Sequence, residues 1–229
     1  MKLASHNTMS YLSPQWWVKP FGWIAKCQAK TIEEQYDNGV RMFDLRVAFD
    51  NKDNIFFAHG MASYKVIDVR EILEKINKWS KEYFKSSGEY IVCRLINERN
   101  NNEVKFRDFA YECFEKYQYI QFCGIRNKNN KGNFEYWPIR SENGYGCGDS
   151  GEIHRVTKNS AFHSTPKSDF RIYFIDKYSS DNCSKHEHCT GIWLDDLCPR
   201  IYAKLFNKRW REKYKEFDGF LMQDFVGKF

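Results

Sequence analysis

The sequence predicts an α/β fold in which a mainly parallel sheet of about eight strands reaches the number that closes a barrel. Three observations carry this. Short β-branched and aromatic runs bounded by turn residues recur along the chain, segments of helical period lie between them, and the 229 residues suit one sizeable core. We therefore expect a single domain over residues 1–229.

A short strand is expected at 2–5. Segments 41–47 (RMFDLRV), 55–58 (IFFA), 90–96 (YIVCRLI), 119–123 (YIQFC), 171–175 (RIYFI) and 219–225 (GFLMQDF) read as buried strands. A helix over 66–84 puts Val69, Ile72, Leu73, Ile76, Trp79 and Tyr83 on one stripe. A second over 103–117 does the same with Phe106, Phe109, Ala110, Cys113, Phe114 and Tyr117. A third, 199–214, opens on Pro199 and carries Ile201, Tyr202, Leu205 and Phe206. The stretch 126–169 is rich in Asn, Gly and Ser and reads as irregular loops with one strand near 134–140.

Composition narrows the function. With 29% charged residues, 5 Pro and 13 Gly, the chain is neither collagen-like nor disordered. Mean hydropathy is −0.71 and no run approaches the roughly 20 apolar residues of a bilayer span. No apolar stretch follows Met1-Lys2, so no secretory signal is visible, and a cytoplasmic or peripheral membrane location is expected unless a leader was removed. The net charge of +6 suits an anionic partner without choosing one. Four of the eight cysteines fall in apolar segments, where a free thiol acts as a small hydrophobe.

Chemistry-bearing residues gather at the downstream ends of the apolar strands. His6 follows KLAS, Asp44 and Arg46 alternate within MFDLRV, His59 ends IFFA, Asp176 and Tyr178 end RIYFI, and Asp224 ends FLMQ. In a parallel barrel these ends meet at one mouth. Taken singly, each is more often a satisfied hydrogen-bonding residue; together they suit a phosphodiester. One histidine takes a proton, the arginine neutralises phosphoryl oxygens, the other histidine protonates the leaving oxygen, and a carboxylate fixes the base tautomer.

The blocks SHNT at 5–8, QYDNGVRMFDLRV at 35–47, AHG at 58–60, FIDKY at 174–178 and MQDF at 222–225 resemble the catalytic X-type domain of phosphatidylinositol-specific phospholipase C. Their order is most similar to the small, metal-independent bacterial enzymes. The resemblance implies an irregular TIM-type (β/α) barrel. It also implies attack of an inositol 2-hydroxyl on phosphorus, releasing diacylglycerol and a cyclic inositol phosphate. By resemblance His6 is the base, Asp224 its orienting carboxylate, His59 the acid, Arg46 the phosphate-binding cation and Asp44 its neighbour, while Asp176 and Tyr178 contact the inositol ring. Arg46 stands where the calcium-dependent members carry an acidic ligand, and Ile96 falls near their third metal carboxylate, so no metal and no cofactor is expected.

Asn7 departs from the bacterial pattern, which has an aspartate there; its amide can still hydrogen-bond the phosphate. The inositol-contacting arginine of the bacterial enzymes has no fixed counterpart, and Arg140 in EYWPIRS is taken for it.

Trp16, Trp17, Phe21 and Trp23, interleaved with Lys19 and Lys26, suit either an interfacial rim or packing in the core or a substrate loop. CSKHEHC at 183–189 holds zinc ligand types at tight spacing, and a Cys183–Cys189 disulfide or an exposed loop is the preferred reading. KRWREK at 208–213 reads as a solvated helix face, so nucleic acid is not an expected partner. The expected partner is a phosphoinositide or related phospholipid at a membrane surface, met by a monomer. The alternatives are a metal-dependent glycerophosphodiester phosphodiesterase or phospholipase D-like enzyme, or a catalytically weak lipid-binding module.

Overall fold

The computed structural model describes residues 1–99, 101–128, 134–137, 139–140, 151–154, 171–175, 198–216 and 219–229; from Cys123 to Ile175 it gives the backbone alone. The sheet is organised by β2 (Val40–Phe49), which lies parallel to β1 (Lys2–Ser5) on one side and to β5 (Ile91–Asn97) on the other. β6 (Ile120–Lys128) extends the parallel set beyond β5. Beyond β1 it continues through β11 (Phe220–Gln223) and β10 (Arg171–Ile175).

Antiparallel strands extend both ends: β7 (Phe134–Trp137) beside β6, β9 (Gly151–His154) beside β10, and β8 (Ile139–Arg140) beside β9. The hydrogen-bonded order is β7, β6, β5, β2, β1, β11, β10, β9, β8, and β6 approaches β9 in space. The fold is therefore an irregular (β/α) barrel, and among the described residues no ladder joins its two ends. The segment expected to be mostly irregular loop holds the end of β6 and three short strands; runs of two to four residues carry too little periodicity to read.

The expected strand at 55–58 is present as β3 (Ile55–His59), but it is not a barrel stave. It runs antiparallel to the outer half of β2, with Val47 opposite Phe57 and Phe49 opposite Ile55, and continues into β4 (Ala62–Tyr64).

A two-residue period sorts the side chains of β2. Phe43, Leu45, Val47 and Phe49 enter the main core with Ile72, Leu73 and Ile76 of one helix and Phe106, Phe109, Ala110 and Cys113 of the next. Met42 turns the other way, packing with Ala4, Val92, Phe220 and Met222 inside the barrel. Asp44 and Arg46 share the Met42 face, one and two layers nearer the mouth.

Two short helices, α1 (Gly22–Ala25) and α2 (Ile32–Asp37), link β1 to β2, and a capping box between Thr31 and Glu34 starts α2. The helix α3 (Val69–Ser87) begins at the Asp68 cap and ends at Gly88, whose φ of 73° only glycine adopts readily. Both α3 and α4 (Glu103–Lys116) bury the expected stripes, with Trp79, Tyr83 and Phe114 half-buried at the margin. In α5 (Pro199–Lys213) the buried face is turned from the expected one: Ile201 and Leu205 are exposed, while Tyr202, Ala203, Asn207 and Trp210 are buried. Trp210 packs on Leu221 and Asn207 serves the chain after β11, so polar and aromatic contacts outrank aliphatic periodicity here. Trp210 thus lies inward within KRWREK. Among the described residues Cys27, Cys93, Cys113 and Cys198 form no disulfide, and CSKHEHC lies outside those residues.

Candidate active site

The end of β1 sets the site. The N–H of His6 donates to Gln223 O at 3.1 Å, and Asn7 then takes a left-handed conformation (φ 43°) tolerated by asparagine. That turn aims the Asn7 N–H at Asp44 Oδ2, 2.9 Å away. Gln28, fully buried, ties the surrounding backbone together. Its Nε2 donates to His6 O (2.8 Å) and Gln223 O (3.1 Å), and its Oε1 accepts from the N–H of Val226 (3.1 Å).

The ring of His6 is buried between two groups of opposite hydrogen-bonding character. Nδ1 lies 2.7 Å from Asp224 Oδ1 and Nε2 lies 2.7 Å from a terminal nitrogen of Arg46. A carboxylate only accepts and a guanidinium only donates. The neighbours therefore dictate the neutral tautomer with the proton on Nδ1 and the lone pair on Nε2, the form a general base requires.

Arg46 is held from both sides: Nε donates to Asp44 Oδ2 (2.9 Å) and NH1 to Glu98 Oε2 (3.3 Å). Burial works against its charge, but Asp44 and Glu98 outweigh that and raise its pKa above the ordinary value. Asp44 is completely buried. Burial pushes its pKa up, and the charges of Arg46 and Arg94 with the Asn7 N–H more than reverse this, holding the carboxyl well below the usual range. Arg94, opposite Asp44 in the β2/β5 register, has its Nε 3.7 Å from Asp44 Oδ1.

His59 reaches the mouth on the return arm of the β2/β3 hairpin. Its Nδ1 lies 2.9 Å from Ala25 O, an acceptor, so Nδ1 carries a proton and Nε2 is the exchanging atom. The two imidazoles stand 6.4 Å apart, edge to face. Glu98 also accepts from Gly60 N–H (3.0 Å), tying the His59 turn to the Arg46 cluster.

Of the expected site residues, His6, Asn7, Asp44, Arg46, His59 and Asp224 thus converge. Asp176 and Tyr178 lie outside the described residues, and Arg140 falls on β8, where only backbone is described. Sequence reasoning passed over Arg94, Glu98, Cys27 and Gln28. Alternation along IVCRLIN places Arg94 on the face of Ile96, and Glu98 obeys the same strand-end rule as the others; Cys27 and Gln28 carry no periodic signal. Ile96, opposite Arg46, is fully buried. Trp16, Trp17, Phe21 and Trp23 are exposed beside this mouth, and Gln15 fastens their segment to Met61 O and Ser63 N–H at the β3/β4 turn.

Comparison with known proteins matches residues 4–131 to the family described as phosphatidylinositol-specific phospholipase C, X domain. That span includes His6, Asn7, Asp44, Arg46 and His59. PI-PLC X domain-containing protein 1 of Danio rerio is 32% identical over 136 residues, 50% of this chain and 42% of that protein, so the chain spans less than half the length of this curated relative. Among solved structures, the phosphatidylinositol-specific phospholipase C of Staphylococcus aureus is similar with a TM-score of 0.58 and 18% identity, over 98% of this chain and 86% of that one. The Listeria monocytogenes enzyme of the same description gives 0.58 and 16%, over 100% and 89%. At these identities the structural likeness speaks to the fold.

Proposed function

The chain belongs to the phosphatidylinositol-specific phospholipase C X-domain family, and on that premise we propose that it cleaves the glycerol-phosphate ester of an inositol phospholipid by paired-histidine chemistry. The observation that carries this reading is the fixed tautomer of His6, set by Asp224 on one nitrogen and Arg46 on the other.

In this reading a phosphoryl group draws the Arg46 guanidinium off His6, and Nε2 takes the proton of the inositol 2-hydroxyl. The freed oxygen attacks phosphorus, Arg46 neutralises the phosphoryl charge, and His59 Nε2 gives a proton to the departing glycerol oxygen. Diacylglycerol and a cyclic inositol phosphate result. Asp224 stabilises the imidazolium formed on His6. Arg46 supplies built-in the positive charge that a metal gives other members, so the reaction proceeds without one. Asp176, Tyr178 and Arg140 are the proposed inositol contacts. The exposed Trp16, Trp17, Phe21 and Trp23, with Lys19 and Lys26 among them, are the proposed lipid-facing rim.

The test is release of water-soluble head group from phosphatidylinositol vesicles in excess EDTA, comparing the parent with His6→Ala. Release of cyclic inositol phosphate, lost in the variant, is the expected result. Activity that EDTA abolishes would favour a metal-dependent phosphodiesterase. Vesicle binding without release would favour a lipid-binding module, the reading that Asn7, an amide where the bacterial enzymes carry a carboxylate, leaves as the competitor.

A further inference from the structure

One group in the site has no part in the acid/base reading: the thiol of Cys27. We infer that His6, Cys27 and Asp224 form a binding site for a thiophilic divalent cation of the zinc class, one that opposes the reaction rather than serving it. One ligand atom from each of the three lies within 4.8 Å of the others, and all three side chains are buried. Cys27 Sγ also lies 4.0 Å from His59 Nδ1.

Imidazole, thiolate and carboxylate together are a donor set that zinc accepts with three protein ligands and water at the fourth position. The sulfur disfavours calcium and magnesium, which seek oxygen. The ligands are also prearranged. The peptide after Cys27 is clamped on both sides: the N–H groups of Cys27 and Gln28 both donate to Ser10 Oγ at 3.0 Å, and Cys27 O accepts from Phe225 N–H at 2.7 Å. Phe225 follows Asp224 directly, so that last bond fixes the cysteine against the segment bearing the carboxylate.

Carboxylates gather around the three ligands: Asp224 pairs with His6, and Asp44 and Glu98 both pair with Arg46. Arg46 lies near enough to Cys27 for the two to interact electrostatically. On binding, the thiol proton passes to solvent, and the imidazole offers one nitrogen in place of the hydrogen bond it makes there, to Asp224 or to Arg46. Each ion bound therefore releases one proton.

An ion on His6 removes the general base, so it inhibits. That consequence rests on the proposed function, whereas the binding itself does not. The experiment is a titration of chelator-stripped full chain with Zn²⁺ by calorimetry, and with Co²⁺ by absorption. It compares the parent, Cys27→Ser, Cys27→Ala and a Cys183→Ser/Cys189→Ser double variant, because CSKHEHC offers ligand types of its own; circular dichroism checks each fold.

The parent is expected to show a sulfur-to-cobalt charge-transfer band and zinc binding. Both Cys27 variants should lose the band and bind zinc at least about tenfold more weakly, roughly 1.4 kcal/mol, and the double variant should keep both. A band and affinity unchanged in both Cys27 variants, or lost in the double variant, overturns the site. Where head-group release is measurable, zinc should inhibit the parent at least about tenfold more strongly than Cys27→Ser. If the parent releases no head group, the titration still decides the metal site, so the two readings fail separately.

Discussion

Asp224 grips Nδ1 of His6 at 2.7 Å across 218 positions of chain, closing the end of β11 onto the end of β1. The carboxylate can only accept, so it selects the tautomer of the ring. Asp224→Asn presents an amide that can donate to Nδ1 and drive the proton to Nε2, where it faces Arg46. We expect kcat for head-group release to fall by about 10²–10⁴-fold with the fold intact. A variant with kcat near the parent value would remove Asp224 from the mechanism.

Asp44 should govern the acid limb of stability. Its carboxyl titrates well below the ordinary 3.8, because Arg46, Arg94 and the Asn7 N–H together outweigh its burial. A depressed folded-state pKa gives stability that is complete above the unfolded value and is lost as pH falls through the folded one. The urea midpoint of the parent should therefore drop as pH falls from about 5 to about 3. Asp44→Asn should be less stable at neutral pH by about 3 kcal/mol, since it strands buried arginines, and its midpoint should vary less over that window. An identical pH slope in the two proteins counts against this account.

Much of this site is legible in the sequence because a two-residue period is a strong signal. FDLR can only put Asp44 and Arg46 on one face, and the strand-end rule found His6 and Asp224. What the sequence hides is direction: nothing in IFFAH distinguishes a parallel stave from the returning arm of a hairpin, so the route by which His59 reaches the mouth shows only in the structure. Cys27 and Gln28 lie in an aperiodic connection, and their roles depend on backbone atoms of Gln223, Phe225 and Val226, nearly the whole chain away. The buried face of α5 departs from its aliphatic period for a related reason. Asn207 is buried because it bonds Asp224 O at 2.7 Å, a partner no helical period reveals.

Arg94 is a positioning residue. It is nearly buried, shares the layer of Asp44 one step below Arg46, and meets the Asp44 oxygen that Arg46 does not use. Arg94→Met should lower kcat about tenfold, roughly 1.4 kcal/mol, while KM holds, because the side chain steadies Asp44 and through it Arg46 without touching lipid. Arg94→Lys should recover part of the loss. A rise in KM with kcat unchanged would instead put Arg94 in contact with the head group.

The aromatic segment allows the surface step to be separated from the chemical one. Trp16 is 79% exposed and Trp17 51%, and Gln15 beside them is bonded to the β3/β4 turn, so the rings are held near the mouth without being part of the core. Trp and Tyr rings favour the boundary between water and lipid because one part of the ring system is apolar and another can hydrogen-bond. Trp16→Ala/Trp17→Ala should weaken partitioning onto phosphatidylinositol vesicles by about tenfold, roughly 1.4 kcal/mol, measured by sedimentation. Thermal stability should change little, since both residues are at least half exposed. Hydrolysis on vesicles should fall in step with the bound fraction, whereas kcat at saturating lipid should stay within about twofold of the parent. Loss of stability together with kcat would return these rings to a packing role.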